Sequence, residues 1–205
     1  MMPIRHWFDF LFPPRADEIV LRDISIDMFL TRVVPRLVRD TRPETIALLP
    51  FSDGVIRSAI HEAKYHGSGR AFEFLAAALV EYLHDNDETF RNPIIVPIPL
   101  GKGRRKRRGF NQIEEIIKRA TEGLSIEVDT TLLERIRETA SQVSLPRHTR
   151  EENMRNAFRA ARQSDPARTY IVMDDVITTG ATLQAAIDAL KKSGAVHVIL
   201  LALAH

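Results

Sequence analysis

The chain contains no cysteine, which excludes disulfides, thiolate nucleophiles and cysteine-bound zinc together. Long apolar runs are missing too. Nothing approaches the roughly 20 residues of a membrane span, and Asp9, Pro13 and Pro14 interrupt the stretch that a secretory signal needs. The expected location is the cytoplasm. Charge of one sign is also scarce: 29 basic residues face 27 acidic ones, for a formal net charge of +2. Overall charge therefore does not argue for a nucleic-acid partner. The seven histidines show neither HExxH nor paired-His spacing, so no metal ligand is assigned among them. No Walker A run exists, and Gly101-Lys102-Gly103 is not a dinucleotide fingerprint because position 106 is lysine.

What is present suits a globular protein. With 205 residues, 44% of them hydrophobic, the chain can build one α/β domain with an appendage. Residues 1–50 read as an N-terminal segment. It opens on an aromatic and aliphatic cluster (Trp7, Phe8, Phe10, Leu11, Phe12) whose default role is docking, with a partner or a membrane surface as the other options. Met28, Phe29, Val33, Leu37 and Val38 then recur at near-helical spacing, interrupted by Pro35. Residues 51–205 read as the main domain. Phe72, Leu75, Ala76, Leu79 and Leu83 mark one face of a helix, Ile94-Ile95-Val96 a buried strand, and Phe110 to Ala120 a second helix ended by Gly123. A strand follows between Ile126 and Leu133. Residues 134–168 are polar without a sustained period, which predicts a functional lid or a disordered linker. Tyr170 to Met173 is a strand, Thr182 to Lys192 a helix with Gly194 at C′, and Val196 to Leu203 a final strand. This alternation predicts an α/β fold with a mostly parallel sheet flanked by helices, plus a small N-terminal helical segment.

The chemistry concentrates in Tyr170-Ile171-Val172-Met173-Asp174-Asp175-Val176-Ile177-Thr178-Thr179-Gly180-Ala181-Thr182-Leu183. A strand ends in two carboxylates, and a turn of small residues opens a helix. Ligands of open α/β sheets bind at the carboxyl ends of the strands. The backbone N–H groups of the turn and the positive helix end suit a phosphate. Gly180 allows close approach, and Thr178, Thr179 and Thr182 add hydroxyl donors beside Ala181. Asp174 and Asp175 cannot bind the phosphate but can accept hydrogen bonds from two vicinal hydroxyls, as on a ribose 5-phosphate. The bland alternative is an acidic pair that caps a helix beside turn-forming threonines.

This run resembles the phosphoribosyl-diphosphate (PRPP) motif of type I phosphoribosyltransferases. The chain as a whole is similar to one branch of them, the ComF (competence protein F) family. Pro97-Ile98-Pro99-Leu100 with Arg104, and Arg108-Gly109-Phe110-Asn111-Gln112, resemble its second signature. Thr139, Gln142, Leu145, Arg150, Asn153, Ala157 and Phe158 resemble its third, Phe51 to Tyr65 the helix before the core, and Leu11 to Pro14 its start. Two features depart from the pattern. Residues 15–50 lack the four-cysteine zinc module, and Gly101-Lys102 replaces a His-Pro pair.

The resemblance implies a type I phosphoribosyltransferase-like core and a role for each segment. Leu100, Gly101, Lys102, Gly103 and Arg104 would form the pyrophosphate loop, where the family often carries a non-proline cis peptide. Thr139, Gln142, Arg147 and Arg150 would belong to a flexible lid. Asp174 and Asp175 would be the catalytic pair, and Thr178 to Thr182 the 5-phosphate site. Mg²⁺ would be held through the substrate rather than by protein ligands. The implied activity is transfer of phosphoribosyl from PRPP to a nitrogen acceptor, with pyrophosphate released. The alternative is a non-catalytic PRPP- or nucleotide-binding protein acting in DNA uptake, with single-stranded DNA as partner. The basic run Lys102 to Arg108 suits either pyrophosphate or nucleic acid, or is simply a solvated loop. A homodimer is a further option.

Overall fold

The computed structural model describes residues 14–137, 154 and 156–205. In chain order the elements are α1 (Ala16–Arg22), α2 (Ile26–Leu30), β1 (Arg36–Val38), β2 (Thr45–Leu49) and α3 (Gly54–His61). A π-helical turn (Glu62–His66), α4 (Gly69–Asp85), β3 (Pro93–Pro97), α5 (Lys102–Arg108) and α6 (Gln112–Ala120) follow. The rest comprises β4 (Glu127–Val128), β5 (Leu133–Arg135), β6 (Phe158–Ala160), β7 (Thr169–Val176), α7 (Ala181–Lys192) and β8 (His197–Ala204).

Six strands form one sheet in the order β1-β2-β8-β7-β3-β4. Only β1 runs antiparallel to its neighbour; the other pairings are parallel. The mostly parallel sheet expected from the alternation of elements is therefore present. It starts upstream of residue 51, because β2 pairs with β8 through Ile46–Leu201 and Ala47–Ala202. Residues 36–49, assigned above to the N-terminal segment, thus belong to the sheet. Period counting could not see them: Thr45 to Leu49 is a short apolar run, and such runs fit a strand or a helix equally.

Each central strand is buried on both faces and sends alternate side chains into two cores. Ile95, Ile171, Met173, Leu201 and Leu203 meet α3, α4 and α6 on one face, together with Leu21 of α1 and Phe29 of α2. Phe29 stacks on Phe74 of α4 with centroids 4.8 Å apart. Ile94, Val96, Tyr170, Val172, Leu200 and Ala202 meet α7 on the opposite face. The predicted face of α4 is entirely buried: Phe72, Leu75, Ala76, Leu79 and Leu83 all lie in the first core.

Three local expectations change. The strand placed between Ile126 and Leu133 is two short strands, because Asp129 Oδ1 accepts from the Thr131 N–H, the Thr131 hydroxyl and the Leu132 N–H, all at 2.9 Å, and turns the chain. Residues 134–168 do contain structure: β5 and β6 pair antiparallel as a two-stranded ribbon, with Leu133 and Phe158 in the α7-side core. Finally, Lys102, Gly103 and Arg104 form the first turn of α5 rather than a loop. Only Leu100 and Gly101 precede it in extended chain. The cis peptide found among the described residues is Arg42–Pro43, not one in the segment before α5.

Candidate active site

The topology places a crevice before any side chain is considered. The chain leaves β3 through α5 and α6 towards β4, and leaves β7 through α7 towards β8, so the two neighbouring strands send their connections in opposite directions. Such a switch point opens a cleft at the carboxyl ends of the strands. The ladder confirms the opening. β7 pairs with β8 as far as Val176–Ala204, whereas its register with β3 stops at Met173–Pro97. Asp174 and Asp175 lie just beyond that stop.

β7 does not end before the acidic pair, as the sequence suggested, but continues through it to Val176. Successive side chains of a strand point to opposite faces, so the structure divides the two carboxylates. Asp175 shares its parity with Ile171 and Met173 and turns to the α4–α6 layer. It is buried (7% exposed). Its Oδ2 accepts from Gln112 Nε2 at 2.6 Å and pairs with Lys64 Nζ at 2.7 Å, while Oδ1 accepts from the Val176 N–H at 2.7 Å. Burial would raise its pKa, but the Lys64 ammonium and these hydrogen bonds outweigh burial and hold it below the ordinary carboxylate value.

Asp174 turns to the α7 face. It is half-buried and accepts a hydrogen bond from the Asp175 N–H at 2.8 Å. Burial first, and the neighbouring Asp175 charge second, push its pKa up to about 7. It lines a small cleft of about 60 Å³ with Val176, Ile177 and Thr178 to Leu183. In sequence the two aspartates are equivalent; the pleat gives one to the cleft and the other to the protein's own cations.

The turn is built as expected and is tighter than expected. Gly180 takes φ +81°, the left-handed region, at the start of α7. The Thr179 hydroxyl accepts from the Ala181 N–H at 3.3 Å, and the first helical closure is Gln184 N–H to Gly180 O at 2.8 Å. The Thr182 and Leu183 N–H groups precede that closure and have no intrahelical acceptor. A Cβ on Gly180 would lie 2.7 Å from the Arg42 carbonyl oxygen, and the Arg42 N–H reaches Thr179 O at 3.4 Å. The close approach that Gly180 permits is therefore to the β1–β2 connection, a contact no local motif could announce.

Cations surround the carboxylates. Arg104 of α5 lowers the pKa of Asp174 by its charge, and Arg108 of the same helix faces the Asp175 charge. Arg108 donates to Gln112 Oε1 at 3.0 Å and lies 5.1 Å from the Tyr65 ring centroid. Burial lowers its own pKa. Arg105 instead forms a two-pronged pair with Glu114, at 2.9 and 3.2 Å. The segment Phe110-Asn111-Gln112 now has a physical role. Phe110 packs edge-on against Phe72, buried Asn111 donates to Ile98 O at 3.1 Å and caps α6 through the Ile113 N–H, and Gln112 reaches Asp175. Lys64 and Gln112 carried no role in the sequence reading; their only signal there was membership in resembling segments. Thr139, Gln142, Arg147 and Arg150, the expected lid residues, lie outside the described residues.

The chain is 35% identical over 102 residues to competence protein F of Haemophilus influenzae, spanning 49% of this chain and 44% of that protein. It is 33% identical over 142 residues to DNA utilization protein YhgH of Escherichia coli K12, spanning 68% of this chain and 62% of YhgH. The chain is thus similar, at 33–35% identity, to proteins named for competence and for DNA utilization. The chain spans about half to three fifths of the length of those relatives. No family model matches it. Among solved structures, adenine phosphoribosyltransferase from Leishmania tarentolae superposes with a TM-score of 0.39 at 13% identity, over 88% of this chain and 87% of that one. A score of that size carries no inference about activity. Among the described residues, no helix is long and apolar enough to cross a membrane.

Proposed function

We propose that this chain binds PRPP and transfers its phosphoribosyl group to a nitrogen acceptor, releasing pyrophosphate. One observation carries the reading: a single cleft at the sheet's switch point joins the Asp174 carboxylate to a phosphate-sized turn at the start of α7. The 5-phosphate would accept hydrogen bonds from the Thr178–Leu183 backbone and threonine hydroxyls. A ribose hydroxyl would donate to Asp174. Asp175, on the opposite face of β7, would keep Lys64 and Gln112 in place rather than touch the sugar. Arg104 and Arg108, on the β3 side of the crevice, would face the diphosphate. The C1–O bond to pyrophosphate breaks, a C1–N bond forms, and the acceptor nitrogen releases its proton to solvent. Charge develops at C1, so the protein's contribution is position and electrostatics.

Magnesium fits this site. Burial first, and the Asp175 charge second, hold the Asp174 pKa at about 7, and a divalent cation beside the sugar hydroxyls would favour its ionised form. Mg²⁺ prefers substrate phosphates and waters, so it would be held through the substrate, with the Asp174 carboxylate nearby. When bound, the ion would neutralise charge on the leaving pyrophosphate.

The test is pyrophosphate release from Mg-PRPP across a panel of purine and pyrimidine bases and small amines, alongside calorimetric titration with PRPP alone. Turnover with one acceptor is the expected outcome. An absence of both binding and turnover overturns the reading.

A second reading rests on α5. Lys106 and Arg107 are exposed on a helix with six basic residues among its seven, and the relatives are named for competence and DNA utilization. Under it the chain binds single-stranded DNA through α5, with PRPP or a nucleotide as a signal. PRPP binding without turnover, combined with DNA retention that falls steeply between 50 and 200 mM salt, would favour it.

A further inference from the structure

The π-helical turn Glu62–His66 changes which side chains can meet. In an α-helix, residues five apart point about 140° away from each other. A π-turn closes its hydrogen bonds over five residues, and here the Glu62 carbonyl accepts from the Gly67 N–H and, at 3.3 Å, from the Ser68 N–H. His61 and His66 are thereby brought onto one side, with ring centroids 5.6 Å apart. One ligand atom each of His61, Glu62 and His66 lies within 4.8 Å of the others. This constellation is remote from the histidine spacings that sequence motifs recognise.

The surroundings are ordered as a metal site orders them. His61 Nδ1 lies 2.8 Å from Asp17 Oδ2, and Asp17 Oδ1 accepts from the Ser58 hydroxyl at 2.8 Å. An imidazole that donates through Nδ1 to a carboxylate presents Nε2 as an acceptor, in the tautomer a metal needs. Glu62 is fully buried. Arg15 fixes it through both oxygens, Nε to Oε1 at 2.8 Å and Nη2 to Oε2 at 2.6 Å, and each oxygen retains a further lone pair. His66 is exposed, so its ring can rotate inward without loss of packing. Tetrahedral bonds of about 2.0–2.2 Å require ligand atoms roughly 3.3 Å apart, and that rotation supplies the closure.

We infer that His61, Glu62 and His66 form a binding site for a borderline divalent cation, Zn²⁺ foremost, with Asp17 and Arg15 orienting two of the three ligands. Two imidazoles and one carboxylate favour Zn²⁺ over Mg²⁺ or Ca²⁺. The same turn carries Lys64, whose ammonium holds Asp175. Occupancy therefore clamps α1, the π-turn and the residue that positions Asp175. The cation is a structural one.

The test uses the full chain, stripped with chelator and titrated with Zn²⁺ by calorimetry, with bound metal counted by plasma mass spectrometry. One Zn²⁺ per chain and a rise in melting temperature at saturating metal are expected. Co²⁺ should give the intense visible absorption of tetrahedral coordination. His61→Ala and His66→Ala should each weaken binding at least tenfold, His84→Ala should leave it unchanged, and Asp17→Asn should weaken it about 10- to 100-fold. Both imidazoles are exposed, so the variants keep their fold, which far-UV circular dichroism checks; His66→Gln replaces any alanine variant that does not fold. Absence of stoichiometric Zn²⁺ uptake by the parent, or parent-like uptake by His61→Ala/His66→Ala, overturns the inference.

Discussion

Asp174 and Asp175 are consecutive, share one strand and end up in opposite chemical worlds. Asp175 turns to the α4–α6 layer, where Lys64, Gln112 and the Val176 N–H keep it ionised. Asp174 turns to the α7 layer, beside the turn at Thr178–Thr182, and holds its proton up to about pH 7. The difference teaches that an acidic pair at a strand end is two devices when the strand runs through it. One carboxylate organises the protein, and the other stays available for a ligand.

Four perturbations break or sharpen this contrast. The largest effect is expected on the α7 side from Gly180→Ala. A Cβ there meets the Arg42 backbone at 2.7 Å with the residue at φ +81°, and left-handed strain plus overpacking should cost about 3 kcal/mol, read as a lower urea midpoint. On the other face, Asp175→Ala leaves Lys64 and Gln112 without their shared acceptor. A broken buried pair costs roughly 3–5 kcal/mol; the Lys64 side chain is 25% exposed, so we expect about 2 kcal/mol. A parent-like urea midpoint would show that the network contributes nothing.

Asp174→Asn should act differently, costing the fold nothing while weakening PRPP binding at least tenfold, by calorimetry at pH 8. Its effect on stability has a definite sign. The folded-state pKa of about 7 exceeds the ordinary 3.8, so between those values the native state binds a proton that the unfolded chain has lost. Stability from this group is fully present below about pH 4 and is lost as pH rises through about 7. The variant should therefore melt above the parent at pH 8, with the two converging near pH 4. An unchanged difference across that range would contradict the burial of Asp174. The smallest effect belongs to Arg105→Ala. Its pair with Glu114 is 55% exposed on the arginine side, so the loss should stay within about 0.5 kcal/mol, with PRPP binding unaltered.

Much of this molecule was legible in one dimension because the relevant interactions are local or periodic. The apolar faces of α4 and α6, the buried strands at Ile94 and Tyr170, and the turn before α7 all follow from spacing and from small residues. The end of β7 is not legible locally, since nothing near Met173 or Val176 marks it; its pairing with β8 carries the strand to Val176. The strands at 36–49 were missed for a similar reason: their partners are β8 and each other, and Thr45 to Leu49 is too short for period alone to identify.

By itself the sequence determined which residues can form a tight turn beside carboxylates at a helix start, because a glycine with left-handed freedom and small hydroxyl residues are properties of the residues and their order. It also ruled out cysteine chemistry. Only the tertiary structure decided how the two aspartates divide, that Lys64 and Gln112 belong to the site, that Arg42 closes over Gly180, and that His61 and His66 meet. Each of these is set by pleat parity, a π-turn or a contact between distant segments, and such geometry exists only once the chain has packed.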